Sequence, residues 1–486
     1  MTGDDAFDEV VGAVRERVRP DDDERERMRA AVATLRERAE DAIDDLPVDA
    51  DVLQVGSTAR GTWIAGDRDI DLFVRFPADL SRERLEEYGL AVGHAVLPEG
   101  REEYAEHPYV VGEYEGFDVD CVPCYRLDSA TDIQSAVDRT PFHTQYLESR
   151  LDADLADEIR LCKQFLKGVG AYGSDLRTRG FSGYLTELLV VEYGSFRALV
   201  EAAADDWHPP VRFDPEDHGR ARETAAPSRS DEVGDADLAF DDPLIVVDPT
   251  DPERNVAAVC SAENVARLQH YARELLADPR EELFAPDPPD PLSPEAVREQ
   301  VAARGPTPVA VRFDAPDVVE DQLYPQLRKS LAGVRDELDR RGFDPLRTAT
   351  FADDDAVLFA ELEVAERPAV ERHEGPPVHV RRHAEGFYDK YADEKSSSSP
   401  ATQSQDADDP GVYGPFLDGD RYVVEREREF RTAEAFLRSD ALFDVSLGTH
   451  VESSLESGYD VLVGESVAAL AEAFGTELAD YFDPRP

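Results

Sequence analysis

Two aspartates stand two residues apart inside an otherwise apolar segment, Asp69-Ile70-Asp71-Leu72-Phe73-Val74. Residues two apart on a β-strand leave the same face, so the Cα atoms of Asp69 and Asp71 are expected about 6.5 Å apart. Carboxylate oxygens at that spacing suit Mg²⁺, which also accepts phosphate oxygens from a substrate. With 107 acidic residues among 486, an isolated pair is more often simply solvated. The pair therefore needs further chemical groups around it before it indicates a site.

A second alternating segment, Phe117-Asp118-Val119-Asp120-Cys121-Val122, offers a third carboxylate. If this strand pairs beside the first one, three carboxylates converge. Three carboxylates around two metal ions roughly 3.5–4 Å apart form the clamp used for in-line phosphoryl transfer. The combination predicts metal-dependent phosphoryl transfer.

A Gly-Ser pair precedes the first acidic strand by about a dozen residues, where a strand changes to a helix. Gly56 allows the backbone to approach a triphosphate closely, and the Ser57 hydroxyl and free N–H groups can bind phosphate oxygens. Arg60, one helical turn further on, adds a cation. These residues predict a triphosphate site beside the carboxylates.

Positioning these groups requires a small α/β domain, for which we expect residues 1–138. Its predicted elements, in chain order, are helices within 5–46, strands Val52–Val55 and Ile70–Phe76, a helix over 81–97, and a hairpin of Tyr109–Tyr114 and Phe117–Val122. The alternating apolar residues predict strands that are buried on one face.

The rest of the chain predicts two further regions. Residues 139–285 are expected to be mostly helical, with helices Leu155–Gly168 and Tyr184–Ala204 and a structured glycine-rich loop between them. A solvated insertion is expected over 213–242, followed by a strand Leu244–Val247. The segment DPTDPERNVAA is then expected to open a helix. A linker at 286–294 then leads into residues 286–486, where a β-α-β-β order predicts a split βαβ sheet packed on helices. Residues 395–410 are low in complexity and predict a disordered insertion.

The strongly negative charge of the chain indicates a halophilic protein. The formal net charge is −55, and its acidic residues are spread along the whole chain, which is typical of a halophile's surface that stays folded while salt screens it. The apolar runs are too short for a membrane span and no secretory signal is evident, so a cytoplasmic protein is expected. The four cysteines form no disulfide framework, and the lone CxxC of Cys121 and Cys124 lacks the partners expected of a zinc or redox site.

The segment GSTARGTWIAGDRDIDLFV resembles the signature of the nucleotidyltransferase superfamily that includes DNA polymerase β and poly(A) polymerases. Further segments resemble the archaeal-type (class I) CCA-adding enzymes, CCA tRNA nucleotidyltransferases, from about residue 10 to the C-terminus: DVDCVPCY, VDRTPFHTQY, RLCKQFLKGVGAYGSDLRTRGFSGYLTELLVVEYGSF, VVDPTDPERNVAA and GPFLDGDRYVV. With the acidic composition, a haloarchaeal member is indicated. The implied fold is multidomain α+β: a nucleotidyltransferase α/β head, a helical neck for base recognition, and a C-terminal α/β body and tail that binds tRNA.

The resemblance implies template-independent addition of CCA to the 3′ end of tRNA from CTP and ATP with Mg²⁺, by a cytoplasmic homodimer with no membrane partner. The implied metal ligands and catalytic residues are Asp69, Asp71 and Asp120. The implied nucleotide-binding residues are Ser57 and Arg60 at the triphosphate, His143, Lys163 and Tyr172 around the nucleotide, and Arg254 at the base, with Thr140 as a weaker candidate.

Several of these side chains also have a purely structural interpretation. Lys163 and Lys167 lie four residues apart and predict one helical face suited to phosphate, although surface lysines serve solubility equally well. Tyr172 can simply pack, and His143 can simply begin a helix. Arg177 and Arg179 contact either RNA backbone or nearby acidic residues.

Two other functions remain open from the sequence: a poly(A) polymerase-like transferase with the same head, and a catalytically silent RNA-binding protein. The family's RNA-facing surface is usually more basic than this chain, so arginine and molar salt must support tRNA binding here.

Overall fold

The computed structural model describes residues 3–104, 106–219, 240–397 and 412–486. The chain divides into two compact units, one extending to Asp287 and the other over Pro288–Arg485. Within the described ranges, no helix is both long enough and apolar enough to cross a membrane.

The first unit contains nine α-helices among its described residues: α1 (Gly3–Val18), α2 (Asp22–Asp44), α3 (Gly56–Arg60), α4 (Arg82–Val96), α5 (Thr140–Glu148), α6 (Ala153–Gly168), α7 (Gly183–Tyr193), α8 (Phe196–Asp205) and α9 (Ala262–Ala277). Its strands are β1 (Asp51–Val55), β2 (Asp69–Pro77), β3 (Arg101–Tyr104), β4 (Pro108–Tyr114), β5 (Phe117–Arg126), β6 (Val211–Phe213), β7 (Leu244–Asp248) and β8 (Asp251–Asn255).

The first five strands form one sheet in the order β1-β2-β5-β4-β3. One face of this sheet packs on α2 and α4 through buried side chains such as Leu35, Leu72 and Val92. Because alternate strand residues leave opposite faces, burying Ile70 and Leu72 in this core directs the aspartates of β2 to the other face. The predicted strands and hairpin of this region are confirmed.

The helices after the sheet begin at side-chain caps. Asp152 accepts a hydrogen bond from the backbone N–H of Leu155 at the start of α6, and Ser182 caps α7 in the same way. The predicted single helix Tyr184–Ala204 is wrong, since α7 ends at Tyr193 and is followed by Gly194, whose φ of 77° is left-handed, and Ser195 caps α8. A glycine in the left-handed region stops a helix at little steric cost.

The segment DPTDPERNVAA does not open a helix, so that prediction is also wrong. Asp251–Asn255 forms β8, which pairs antiparallel with β7, and α9 begins only at Ala262. Proline at position 252 disfavours a helical conformation for Asp251. The Asn255 side chain closes the hairpin by accepting from the backbone N–H of Val246 and donating to the backbone oxygen of Leu244.

The described helices of the second unit are α10 (Pro294–Arg304), α11 (Glu320–Arg340), α12 (Arg381–Ser397), α13 (Ala433–Leu437), α14 (Thr449–Ser457) and α15 (Ala471–Phe482). Its strands are β9 (Thr307–Asp314), β10 (Pro345–Ala352), β11 (Asp355–Leu362), β12 (Val370–Pro377), β13 (Tyr413–Asp418), β14 (Arg421–Glu427) and β15 (Asp460–Val463).

The sheet β10-β11-β9-β15 confirms the split βαβ prediction, because β9 and β10 both run antiparallel to the strand between them and are joined by α11. A second sheet has the order β12-β14-β13. Of the predicted insertion at 395–410, residues 395–397 end α12 and the remainder lies outside the described residues. Likewise, most of the predicted insertion at 213–242 lies outside them, although Phe213 ends β6 and packs on Trp207.

Candidate active site

Two strands bring the acidic residues together on the open face of the first sheet. Strand β2 pairs parallel with β5, so that Asp69 lies opposite Asp118 and Asp71 opposite Asp120. The pairing on which the three-carboxylate hypothesis depended is therefore present. Four carboxylates from two neighbouring strands share this face.

The Gly56-Ser57 turn lies directly against these carboxylates. Strand β1 ends at Val55, which pairs with Asp71, and α3 begins at once with Gly56 in a left-handed conformation, φ 77°. A Cβ atom at Gly56 would lie 2.1 Å from Oδ2 of Asp71. Only glycine permits this approach, and it places Ser57 one residue from the acidic face.

Burial and mutual repulsion raise the pKa of each proposed metal ligand. Burial, followed by the charges of Asp120 and Asp69, raises the pKa of Asp71 from 3.8 to about 7. Burial and the nearby charges of Glu103, Asp69 and Asp118 raise the pKa of Asp120 to about 6. The pKa of Asp69 is raised too, by burial and then by Asp67. Such a group of carboxylates favours a bound cation, which relieves the repulsion.

These carboxylates fit Mg²⁺ as a partial set of ligands. Among the residues that the structure describes, no group of three His, Cys, Asp or Glu side chains is arranged to hold a metal ion. Mg²⁺ commonly keeps several waters and is bound through one or two carboxylates together with substrate phosphates. The donor set consists of hard oxygens only, which suits Mg²⁺ better than zinc.

Glu187 is the centre of a buried network that includes two of the predicted nucleotide contacts. Its carboxylate is fully buried and accepts from Nε of Arg60 at 2.6 Å and from Nζ of Lys163 at 2.7 Å. The Thr62 hydroxyl also donates to it, at 2.5 Å. Burial raises the pKa of Glu187, but the Lys163 ammonium and the Arg60 guanidinium outweigh burial and hold it at about 2.

The two lysines on α6 therefore differ in environment. Lys163 is 2% exposed, and its ammonium donates to the Glu187 carboxylate and to the hydroxyl and backbone oxygens of Thr62. Lys167 is partly exposed and pairs with Asp67 at 3.0 Å, with its ammonium 5.5 Å from the centroid of the Tyr172 ring. Tyr172 itself is mostly buried, and its backbone bridges to Phe181.

A second buried carboxylate, Asp248, joins the two remaining predicted contacts. Its Oδ2 accepts from Nε2 of His143 and from Nη1 of Arg254, each at 2.8 Å, and its Oδ1 accepts from the backbone and hydroxyl of Thr250. The His143 ring stacks on Tyr184 with centroids 3.9 Å apart. Burial lowers the pKa of His143, so the ring is neutral near neutral pH and Nε2 carries the proton shared with Asp248.

The weaker candidates have mainly local contacts. Thr140 is the first residue of α5. Arg179 has a φ of 53°, and its backbone oxygen accepts from Ser261 and Asn264, which ties the glycine-rich loop to α9. The cysteines of the CxxC lie on β5 three residues apart, on opposite faces, where burial raises the pKa of Cys121 to about 12.

Four residues of these networks were not predicted from the sequence: Glu187, Asp248, Thr62 and Tyr184. A signal existed for the two acids, since Glu187 interrupts the apolar run YLTELLVV and Asp248 ends the apolar strand LIVVD. A charged residue in an apolar element is costly unless it is paired.

The sheet, the Gly-Ser turn and the paired strand carboxylates define a nucleotidyltransferase, and the family model for a nucleotidyltransferase domain matches residues 35–143. Two more specific models match further along the chain: the second domain of tRNA nucleotidyltransferase over residues 157–285, and the C-terminal domain of CCA-adding enzyme over 304–464.

Proteins that are similar to this chain over nearly its full length identify the particular family. A CCA-adding enzyme of Haloarcula marismortui is 61% identical, covering 99% of this chain and 100% of the relative. One of Halorubrum lacusprofundi is 59% identical over 99% of this chain and 100% of the relative, and one of Methanosarcina barkeri is 38% identical over 96% of each. The chain belongs to the family of CCA-adding enzymes, as its motifs predicted. The haloarchaeal relatives fit the halophilic surface expected from composition.

Proposed function

We propose that this protein adds C, C and A to the 3′ end of tRNA, using CTP and ATP with Mg²⁺ and no nucleic-acid template. The observation that carries the proposal is the register of Asp71 opposite Asp120 beside the Gly56 turn, in a chain that belongs to the CCA-adding enzymes. A reaction of this class needs carboxylates next to a close approach of backbone, and both features are present on one face of the sheet.

In this proposal Asp69, Asp71 and Asp120 hold Mg²⁺. When bound, the metal would lower the pKa of the attacking hydroxyl and stabilise the negative charge on the leaving group. The terminal 3′-oxygen of tRNA loses its proton and forms a bond to the α-phosphorus of CTP or ATP, while the bond from that phosphorus to the bridging oxygen breaks and pyrophosphate leaves. Gly56 and Ser57 orient the triphosphate by close backbone approach.

The cations around the nucleotide are held in fixed positions by the two buried acids. Asp248 uses one donor of Arg254, whose side chain remains 35% exposed and retains further N–H groups for a base edge and a phosphate. Arg60 and Lys163, both bonded to Glu187, are oriented beside the triphosphate, with part of their charge neutralised by that carboxylate. Tyr172 and His143 complete the wall of the nucleotide pocket.

The finer assignments of partner and location rest on family resemblance. The proposed partners are the acceptor arm and 3′ end of tRNA, and the proposed assembly is a homodimer in the cytoplasm. Light scattering after size-exclusion chromatography in molar KCl tests the assembly, for which a monomeric mass would be the contrary result.

The experiment that tests the function uses tRNA lacking its CCA end, incubated with each nucleotide alone and with CTP and ATP together. Incorporation of two CMP residues and then one AMP, dependent on Mg²⁺, is the expected result. A long tail of A from ATP alone would instead favour a poly(A) polymerase-like transferase. Mg²⁺-dependent binding of CTP and ATP without incorporation would favour a silent RNA-binding protein.

A further inference from the structure

A cavity of about 500 Å³ lies between α2 and α3 in the first unit. Its wall on α2 carries Arg25, Arg29 and Arg36, and its floor includes Met28 and Trp63. Within the described residues, the lining contains none of the three carboxylates proposed as metal ligands, and neither Gly56 nor Ser57. The cavity therefore lies outside the acidic face of the sheet, but it adjoins the proposed nucleotide site, because Arg60 is one of its lining residues.

The charge of this cavity is opposite to that of the chain. The thirteen described residues that line it include five arginines and no carboxylate, although 107 of the 486 residues are acidic and about three acids would be expected among thirteen. By contrast, the charged residues that line the cavity on the open face of the sheet are five acids and one arginine: Glu99, Glu103, Glu113, Asp118, Asp120 and Arg101. All five arginines pair with carboxylates outside the lining: Arg60 and Arg160 with buried acids, and the three on α2 with exposed acids that a ligand anion can replace.

Three of the arginines are arranged as a row. Arg25, Arg29 and Arg36 lie on one face of α2, and the eleven residue-to-residue steps from the first to the last span about 16 Å at 1.5 Å each. Arg29 pairs with Glu26 at 2.8 Å and Arg36 with Glu40 at 3.5 Å, with arginine side chains 69% and 47% exposed. Exposed pairs of this kind contribute little stability, so an anion can replace the glutamates.

A fourth arginine is fixed at the base of the cavity. Arg160 is 5% exposed, and its Nε donates to the backbone oxygen of Trp63 at 2.9 Å. Burial and the charges of Arg25 and Arg19 lower the pKa of Arg160 to about 10, because these guanidinium groups repel one another. The Nη1 and Nη2 groups of Arg160 donate to the Asp157 carboxylate and to the backbone oxygen of Gly61, so Arg160 borders the cavity with its donors already paired.

We propose that this cavity is a second phosphate-binding site, which receives backbone phosphates of the RNA substrate while the apolar floor accommodates a sugar or base. Arginine suits this role because its planar fork bonds phosphate oxygens in pairs. A row of about 16 Å matches consecutive phosphates of a strand better than one isolated phosphate. Free nucleotides carry the same phosphate chemistry and are the alternative source. The proposal rests on the proposed function only for its choice of tRNA as the probe.

The test compares the double variant Arg29→Gln/Arg36→Gln with the matched control Arg82→Gln/Arg84→Gln. The control removes two arginines of similar exposure, 56% and 55%, that also pair with glutamates of their own helix, α4. We expect the cavity variant to weaken tRNA binding about fivefold to tenfold and to reduce the salt slope of binding by about two, as two lost phosphate contacts predict. The KM for tRNA rises while kcat for CMP incorporation is unchanged, and the control differs little from the unaltered protein.

A direct measurement identifies the source of the phosphate. Phenylglyoxal modifies accessible arginines, and mass spectrometry reports the modification of Arg29 and Arg36 in the full-length protein. Protection by CCA-less tRNA supports the backbone assignment. Protection only by CTP or pyrophosphate supports a phosphate site but overturns the backbone source, and protection by none of these probes overturns the cavity as a site. CMP incorporation is measured separately, so protection without incorporation would contradict the proposed function and leave the cavity assignment intact.

Discussion

Replacing Asp71 with asparagine should abolish nucleotide transfer and, without Mg²⁺ at pH 8, stabilise the fold. The pKa of Asp71 rises from 3.8 to about 7, so ionising it in the folded protein costs more than in the unfolded chain. At 1.36 kcal/mol per pKa unit, this difference limits the gain in unfolding free energy from the substitution to about 4 kcal/mol. Shared repulsion with Asp120 and screening by molar salt reduce the expected gain to about 1–3 kcal/mol.

The sign of this effect depends on pH. Because the folded-state pKa is raised, the stability that protonated Asp71 provides is fully present below about pH 4 and is lost as pH rises through about 7. The difference between Asp71→Asn and the unaltered protein should therefore be near zero at pH 4 and largest at pH 8.

Urea unfolding in molar KCl with a chelator, at both pH values, measures that difference. The addition of Mg²⁺ at pH 8 should raise the unfolding free energy of the unaltered protein and have much less effect on Asp71→Asn, because a ligand is missing. A variant that is less stable at pH 8, or one that still incorporates CMP, would refute the reasoning.

Four further outcomes follow from the site and the composition. Gly56→Ala should reduce transfer at least about 100-fold with an unchanged circular dichroism spectrum, since its Cβ displaces the Asp71 carboxylate; near-normal transfer would contradict the close approach. Glu187→Gln should lower the unfolding free energy by about 3–5 kcal/mol, because it leaves two buried cations without a charged partner. The exposed control Glu192→Gln should change the unfolding free energy by less than about 0.5 kcal/mol. Equal losses in the two variants would rule out the buried network. Arg254→Lys should not restore the discrimination of CTP and ATP against UTP and GTP that Arg254→Ala loses, since lysine lacks the planar fork; discrimination unchanged in both would remove Arg254 from base recognition. Transfer activity and the folded signal in circular dichroism should both rise as KCl rises into the molar range, with Mg²⁺ still required. Repulsion within the −55 charge reaches about 30 Å at 0.01 M salt but about 3 Å at 1 M. An activity optimum near 0.1 M KCl with intact structure would overturn the halophile assignment.

The sequence was sufficient for the elements that carry the acidic residues, because a period of two in a strand determines which side chains share a face. Asp69 and Asp71 were predictable as neighbours for that reason. The pairing of β2 with β5 could only be assumed, because a single sequence does not state which strands are adjacent. In the structure the two strands do pair, with Asp71 opposite Asp120.

Long-range pairing also explains what the sequence could not predict. Lys163 has the spacing of a surface phosphate ligand, yet it is buried because its partner Glu187 lies 24 residues further along, on the next helix. The predicted helix after Asp248 is a hairpin, and that hairpin brings Arg254 back to the carboxylate that also binds His143. Local periodicity carries no information on either arrangement.

These two carboxylates change how the positive charge of the site should be understood. Glu187 neutralises part of the charge of Arg60 and Lys163, and Asp248 does the same for Arg254, so the predicted nucleotide contacts are ordered cations with little net charge. Fixed orientation favours discrimination between ligands more than attraction of a polyanion. Attraction must then come from Mg²⁺ at the carboxylates and from arginines whose acidic partners are exposed and easily displaced, such as those along α2. An acidic protein can in this way separate the residues that recognise a nucleotide from those that hold the RNA.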